Sequence, residues 1–279
     1  MVRELKAERI SECVEKLFIK ACSNPSPDVL NALKKAHQSE RAPAAREALR
    51  QILKNAQIAR EKDMPCCQDT GMAVVFLEIG QDVHITGGVY EAVNTGVKNA
   101  YKNGYLRKSV LDPVTRENTN DNTPAVIHTD IVPGNKVRVT AVPKGFGSEN
   151  MSVLSMLKPA EGMDGIRRVV IDAVKRAGGS PCPPVVLGIG IGGTMEKAAL
   201  IAKRQLLRET GSKNPDPKLS ALEKELKNSI NALGMGAMGL DGDTYCLAVH
   251  IQTFPTHLAG LPVAVNFQCH AARHETAVI

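Results

Sequence analysis

Tryptophan is absent from this chain, and aromatic residues fill only 3% of its 279 positions. Proteins that grip single-stranded nucleic acid stack bases on aromatic side chains, so this scarcity removes most of the platform such binding needs. Also missing is any run approaching the roughly 18 consecutive apolar residues of a membrane span. The opening Val2-Arg3-Glu4-Leu5-Lys6 lacks the apolar stretch of a secretion signal and reads as the start of a charged amphipathic helix. A cytoplasmic protein with no membrane partner is expected. Closely spaced cysteine pairs of the Cys-x-x-Cys kind are missing too, although there are seven cysteines. An odd number without small-domain disulfide spacing suits a reducing compartment.

Charge of one sign is not gathered into a stripe. The formal net charge is +6, but basic residues have acidic neighbours, as in Glu196-Lys197 and Glu223-Lys224-Glu225. No nucleic-acid partner is therefore expected; the excess suits a surface and cleft for small dianions.

What is present is enough to fold. With 43% hydrophobic residues the chain can bury a large core. Residues 1–62 read as a helical N-terminal segment. Leu5, Ile10, Val14, Leu17 and Phe18 recur at helical spacing, Asn24-Pro25-Ser26-Pro27 interrupts them, and Pro43 suits the first turn of a helix running to Lys62. Residues 63–279 read as a second domain, where glycine-bearing turns separate apolar runs. Strands are expected at 72–79, 185–191, 244–251 and 262–267, and a pair at 126–132 and 136–142 joined by Pro133-Gly134-Asn135. Helices are expected at 90–101, 166–177, 195–208 and 219–233. The mixture predicts an α/β or α+β fold, with mixed sheet layers and flanking helices.

Three cysteines stand far apart, each in a segment marked by glycine or proline. They are Cys67 in Pro65-Cys66-Cys67-Gln68-Asp69-Thr70-Gly71, Cys182 in Pro181-Cys182-Pro183-Pro184, and Cys269 in Asn266-Phe267-Gln268-Cys269-His270. A ligand cysteine needs backbone that exposes its sulfur and donors that stabilise thiolate, and such loops supply both. The three look like ligands of an iron–sulfur cluster; a cubane with three protein ligands leaves one iron open to act as a Lewis acid. Cys13, Cys22 and Cys246 lie in apolar patterns and read as small core fillers. A redox or structural cluster would need a fourth thiolate, for which Cys66 and Cys246 are the nearest candidates.

Other segments offer polar chemistry. Asp69 is a candidate proton acceptor or hydroxyl-orienting group, and Gln68 a candidate donor to a carboxylate. Arg107 has the planar fork suited to a carboxylate. Lys144-Gly145-Phe146-Gly147-Ser148 follows a strand and could form an anion nest. His257, in Phe254-Pro255-Thr256-His257-Leu258, is a candidate acid, base or hydrogen-bond donor. Gly188-Ile189-Gly190-Ile191-Gly192-Gly193 superficially matches a dinucleotide fingerprint. Its first glycines fall inside the expected strand, however, and no acidic residue closes a strand about twenty residues on, so a nicotinamide-dependent oxidoreductase ranks low.

Taken in order, these segments resemble the alpha subunit, or N-terminal half, of class I (iron–sulfur) fumarate hydratases and the related tartrate dehydratases. The motifs are Pro65-x-Cys67-Gln68-Asp69-Thr70-Gly71, Thr86-Gly87-Gly88, Leu106-Arg107-x-Ser109, Asn118-Thr119-x-x-Asn122-x-Pro124-Ala125 and Lys144-Gly145-x-Gly147-Ser148. Cys182-Pro183-Pro184, Ile191-Gly192-Gly193-Thr194, Pro255-x-His257 and Cys269 complete them. The resemblance implies that Cys67, Cys182 and Cys269 ligate a [4Fe–4S] cluster, with Cys66 a bystander. It puts Gln68, Asp69, Arg107 and Gly147 on substrate-contact positions, and His257 on an active-site histidine. The activity implied is reversible hydration of fumarate to (S)-malate, with L-tartrate dehydration as the alternative. It further implies a separate beta subunit completing the active site around a C4 dicarboxylate, in a dimer of alpha–beta units.

Overall fold

The structure, a computed structural model, describes residues 2–279. Its elements begin with β1 (Arg3–Lys6), α1 (Ala7–Ser23), α2 (Pro27–Ser39), α3 (Pro43–Glu61), β2 (Met72–Gly80), β3 (Val83–Thr86) and α4 (Val89–Asn103). β4 (Val126–Val132), β5 (Val137–Lys144), the single turn α5 (Phe146–Glu149), β6 (Val153–Leu157), α6 (Gly162–Ala177) and β7 (Val185–Gly192) follow. The chain continues through α7 (Met195–Gln205), α8 (Pro217–Asn231), β8 (Cys246–Phe254), β9 (Leu261–Gln268) and β10 (Glu275–Val278). This is the mixed α/β architecture with a helical N-terminal segment that the patterning predicts. No helix among the described residues is long and apolar enough to cross a membrane.

The chain forms two compact units. The first comprises residues 2–26, Asn55–Phe146 and Arg273–Ile279. Its sheet has the order β10-β5-β2-β4, with β2 parallel to β4 and antiparallel to β5. Helical periodicity puts Ile10, Val14, Leu17 and Phe18 on one face of α1, and Val93, Val97, Ala100 and Tyr101 on one face of α4. Both faces share a core with Val75, Leu77, Val139 and Ala141 of the sheet.

The structure departs from the sequence patterning in two places. Residues 3–6 form a strand, not a helical turn: Leu5 is the one buried position in an alternating pattern, and the segment pairs parallel with β3. Only long-range pairing can decide so short and charged a stretch. The strands expected as partners across Pro133-Gly134-Asn135 both exist as β4 and β5 but do not pair with each other, because β2 lies between them. β2 is buried continuously from Ala73 to Leu77, and so apolar a strand belongs inside a sheet.

The second unit comprises Pro27–Lys54 and Gly147–Ala272. Its sheet runs β6-β9-β7-β8, with β7 parallel to β8 and antiparallel to β9. Leu187, Ile189, Ile251, Val265 and Phe267 join the apolar faces of α6 and α8 in one core. On the opposite face of β7 the side chains are missing by design of the sequence. A Cβ at Gly190 would stand 2.1 Å from the Ala198 carbonyl oxygen, and one at Gly188 2.0 Å from that of Ala202. The Gly-x-Gly sequence is thus a seat for α7 rather than a phosphate-binding turn. α7 ends at Gln205, short of the expected Arg208, and α8 is capped by Asp216, whose side chain accepts from the Lys218 and Leu219 amides.

Candidate functional site

Cys67, Gln68 and Asp69 lie in the first unit, on the loop between α3 and β2. Asp69 shapes this loop. Its Oδ1 accepts the Gly71 N–H at 2.9 Å and its Oδ2 accepts the Phe146 N–H at 2.8 Å. The Asp69 N–H in turn points at Cys67 Sγ, 3.4 Å away, a donor of the kind that stabilises thiolate. Gly71 then turns the chain into β2 at φ +79°, where a Cβ would stand 2.6 Å from the Lys144 backbone. Of the expected anion nest, the Phe146 amide is committed to Asp69 and Lys144 is buried.

Three buried side chains that were not among the sequence candidates hold the loop from beneath. Arg273 donates through Nη2 to the Asp69 carbonyl, through Nη1 toward Cys66 Sγ at 3.5 Å, and through Nε to the Pro143 carbonyl at 3.4 Å. The Tyr101 hydroxyl stands 2.7 Å from the Thr70 carbonyl oxygen and 3.0 Å from that of Gly71. Asn122 donates to the Gly71 carbonyl at 3.3 Å while its Oδ1 accepts the Ser109 and Val110 amides. The Thr70 hydroxyl completes the tie by donating to the Arg107 carbonyl at 3.0 Å. The segment bearing Arg107 is therefore anchored to the segment bearing Cys67, with the Arg107 and Gln68 side chains exposed. Asn122 lies within one of the sequence motifs. Nothing in the local sequence marks Arg273 or Tyr101, whose roles depend on contacts far along the chain.

Cys182, Cys269, Gly147 and His257 belong to the second unit. Cys182 adopts φ +53°, a left-handed conformation that non-glycine residues rarely take. Cys269 follows β9, and its neighbour His270 reaches back to Cys182: both the His270 N–H, at 3.2 Å, and the ring Nδ1, at 3.0 Å, meet the Cys182 carbonyl oxygen. Gly147 is exposed, and a Cβ there would lie 3.6 Å from the Ser180 carbonyl oxygen, close to the Cys182 loop. His257 is exposed in the loop between β8 and β9; its Nδ1 accepts the Ala259 N–H at 3.2 Å, which leaves the ring proton on Nε2. Thr256 fastens that loop to the turn after β7 by donating to the Gly193 carbonyl at 2.9 Å.

Burial sorts the cysteines as the sequence expects. Cys13, Cys22 and Cys246 are buried in apolar cores. Burial raises the Cys13 thiol and pushes those of Cys22 and Cys246 up to about 12, which keeps them protonated. Cys66, Cys67, Cys182 and Cys269 are half-buried. On the strand leading to Cys269, Asn266 Oδ1 and Gln268 Oε1 are buried and accept no hydrogen bond from the protein. Such atoms are rare in folded proteins. Among the described residues no group of three or more His, Cys, Asp or Glu side chains is arranged to hold a metal ion.

The family described as fumarate hydratase (Fumerase) matches residues 11–278. A protein of Methanocaldococcus jannaschii, provisionally named L(+)-tartrate dehydratase subunit alpha, is 43% identical over 272 residues, which is 95% of either chain. The L(+)-tartrate dehydratase subunit alpha of Escherichia coli O157:H7 is 28% identical, over 99% of this chain and 93% of its own. That of Shigella sonnei is 27% identical with the same coverage.

Proposed function

We propose, for a chain that belongs to the fumarate hydratase family, that it is the alpha subunit of a hydro-lyase acting on a C4 dicarboxylate. A [4Fe–4S] cluster on Cys67, Cys182 and Cys269 is part of the proposal. The observation that carries it is the Asp69 N–H on Cys67 Sγ, inside a motif that the family resemblance assigns to cluster and substrate. The donor chemistry fits the cluster: Cys67, Cys182 and Cys269 are half-buried loop thiols, as is Cys66, whereas the buried thiols stay protonated. With three protein ligands, the bound cluster would supply a Lewis acid for the substrate hydroxyl.

The chain's own side chains divide the remaining work. Arg107, exposed on an anchored backbone, binds a substrate carboxylate through its guanidinium fork. Gln68 adds an amide donor beside it, and the exposed backbone at Gly147 lets substrate approach closely. Asp69 has both carboxylate oxygens engaged by backbone amides, so it meets substrate in one fixed orientation. His257 offers an Nε2 proton to an oxygen that is gaining negative charge. Because the relatives are named as alpha subunits, a separate beta subunit supplies the rest of the site, in a dimer of alpha–beta units.

Fumarate hydration to (S)-malate is the first reading of the substrate, following the family. Dehydration of L(+)-tartrate is the second, and the names carried by the relatives favour it. The test is anaerobic: the chain, reconstituted with iron and sulfide and mixed with its beta partner, is assayed on (S)-malate and on L(+)-tartrate. Turnover of either acid that disappears with Cys67→Ser, Cys182→Ser or Cys269→Ser supports the hydro-lyase reading, and the preferred acid names the enzyme. A fully loaded complex that dehydrates neither acid ends it.

A further inference from the structure

Cys182 adopts a backbone conformation that carries a steric cost. At φ +53° it pays a steric penalty that glycine would avoid, and it is followed by the Pro183-Pro184 pair, which has no N–H to donate. Hydrogen bonds within the second unit hold this turn at several of its carbonyls. The Tyr245 hydroxyl donates to the Gly178 carbonyl at 2.7 Å, the Cys182 N–H closes onto the Gly179 carbonyl at 3.1 Å, and the Met238 N–H donates to the Pro183 carbonyl at 2.8 Å. Between them sits the Cys182 carbonyl, which takes two donors from one residue, His270.

That double contact fixes the chemistry of the ring. A carbonyl oxygen only accepts, so Nδ1 of His270 carries a proton in this contact. The backbone N–H and the ring N–H occupy the two lone pairs of one oxygen, which locks both the peptide plane after Cys182 and the direction in which its side chain leaves the backbone. His270 is also the residue after Cys269, so the same residue sets the Cys182 turn and the end of β9.

Resting on the [4Fe–4S] reading above, we infer that His270 is a positioning residue: its Nδ1–H holds the strained Cys182 turn in the conformation that presents the thiol as a ligand. Its effect runs through the Cys182 carbonyl. Side-chain geometry separates this role from a general need for bulk or charge. Asparagine can place an N–H donor where Nδ1 stands, whereas glutamine reaches toward the Nε2 position and alanine removes the donor.

The experiment uses the full chain in two states, each with its own readout. In the cluster-free chain, the alkylation rate of Cys182 by iodoacetamide is followed by peptide mass spectrometry, with Cys67 as internal reference. In the anaerobically reconstituted chain, the rate of cluster loss to an iron chelator is followed by visible absorbance. Loss of one hydrogen bond corresponds to about a two- to tenfold change in the opening equilibrium that governs such rates. His270→Ala and His270→Gln should therefore raise both rates by about that factor, relative to wild type, and His270→Asn should return both near wild type. Equal Cys182 alkylation in wild type and His270→Ala overturns the inference, as does a His270→Asn variant as impaired as alanine. If alkylation follows the expected order but the cluster survives Cys182→Ser, the positioning of the turn stands and the ligand reading of Cys182 falls.

Discussion

His250 on β8 shows how much one side chain can cost when it is buried with half its polar atoms served. Its Nδ1 meets the Gln205 carbonyl at 3.1 Å, while its Nε2 is buried without a partner. Burial pushes its pKa down to about 4, and the Arg208 guanidinium acts in the same direction against Glu223 and Asp28. An unfolded histidine titrates near 6.5. Between those values the unfolded chain binds the proton that the folded chain refuses, so stability is full above about pH 6.5 and declines as pH falls toward 4, by about 3 kcal/mol in all. Urea unfolding at pH 7 and pH 5 should show a markedly smaller acid loss for His250→Asn than for wild type. Asp69 is a second such residue. Replacing it with asparagine turns one acceptor into a donor that faces a backbone N–H, at Gly71 or Phe146. We expect Asp69→Asn to lose about 1–3 kcal/mol of stability, read as a lower denaturation midpoint, and to lose activity with it.

At the scale of elements, legibility followed the range of the interactions. The helices α4, α6 and α8 were readable because an apolar stripe at helical spacing is a local signal, and β2, β7 and β9 because continuous apolar runs bounded by glycine or proline are local too. β1, β3, β6 and β10 were not readable. They are four or five residues long, and partners distant in sequence make them strands, as β5 does for β10. The same division runs through the candidate site. Its cysteines stood out by their turn-forming neighbours, but Tyr101, Arg273 and His270 act through carbonyls distant in sequence and carry no local mark. The glycines of β7, set aside as a cofactor motif because they fall inside a strand, are informative as packing. Gly190→Ala would drive a Cβ into the Ala198 carbonyl, so α7 must lift from the sheet. We expect a cost of about 3 kcal/mol, the upper end for overpacking because backbone cannot rotate away. A Tm drop on the order of 10 °C would register it; an unchanged Tm would mean that α7 does not rest on β7.

The whole molecule couples segments made at very different times. The alpha chain alone should show little turnover on either C4 acid, with activity appearing on addition of the beta partner; full turnover by the highly purified chain would contradict the two-subunit reading. Within the first unit, the buried guanidinium of Arg273 fastens the Asp69 carbonyl across 204 residues of sequence. At a synthesis rate of 5–20 residues per second, the Cys66-Cys67-Gln68-Asp69 loop leaves the ribosome roughly 10–40 s before its anchor is translated. For that interval two adjacent thiols wait on an unfastened turn. We expect conditions that keep thiols reduced during translation to favour the folded form of this loop.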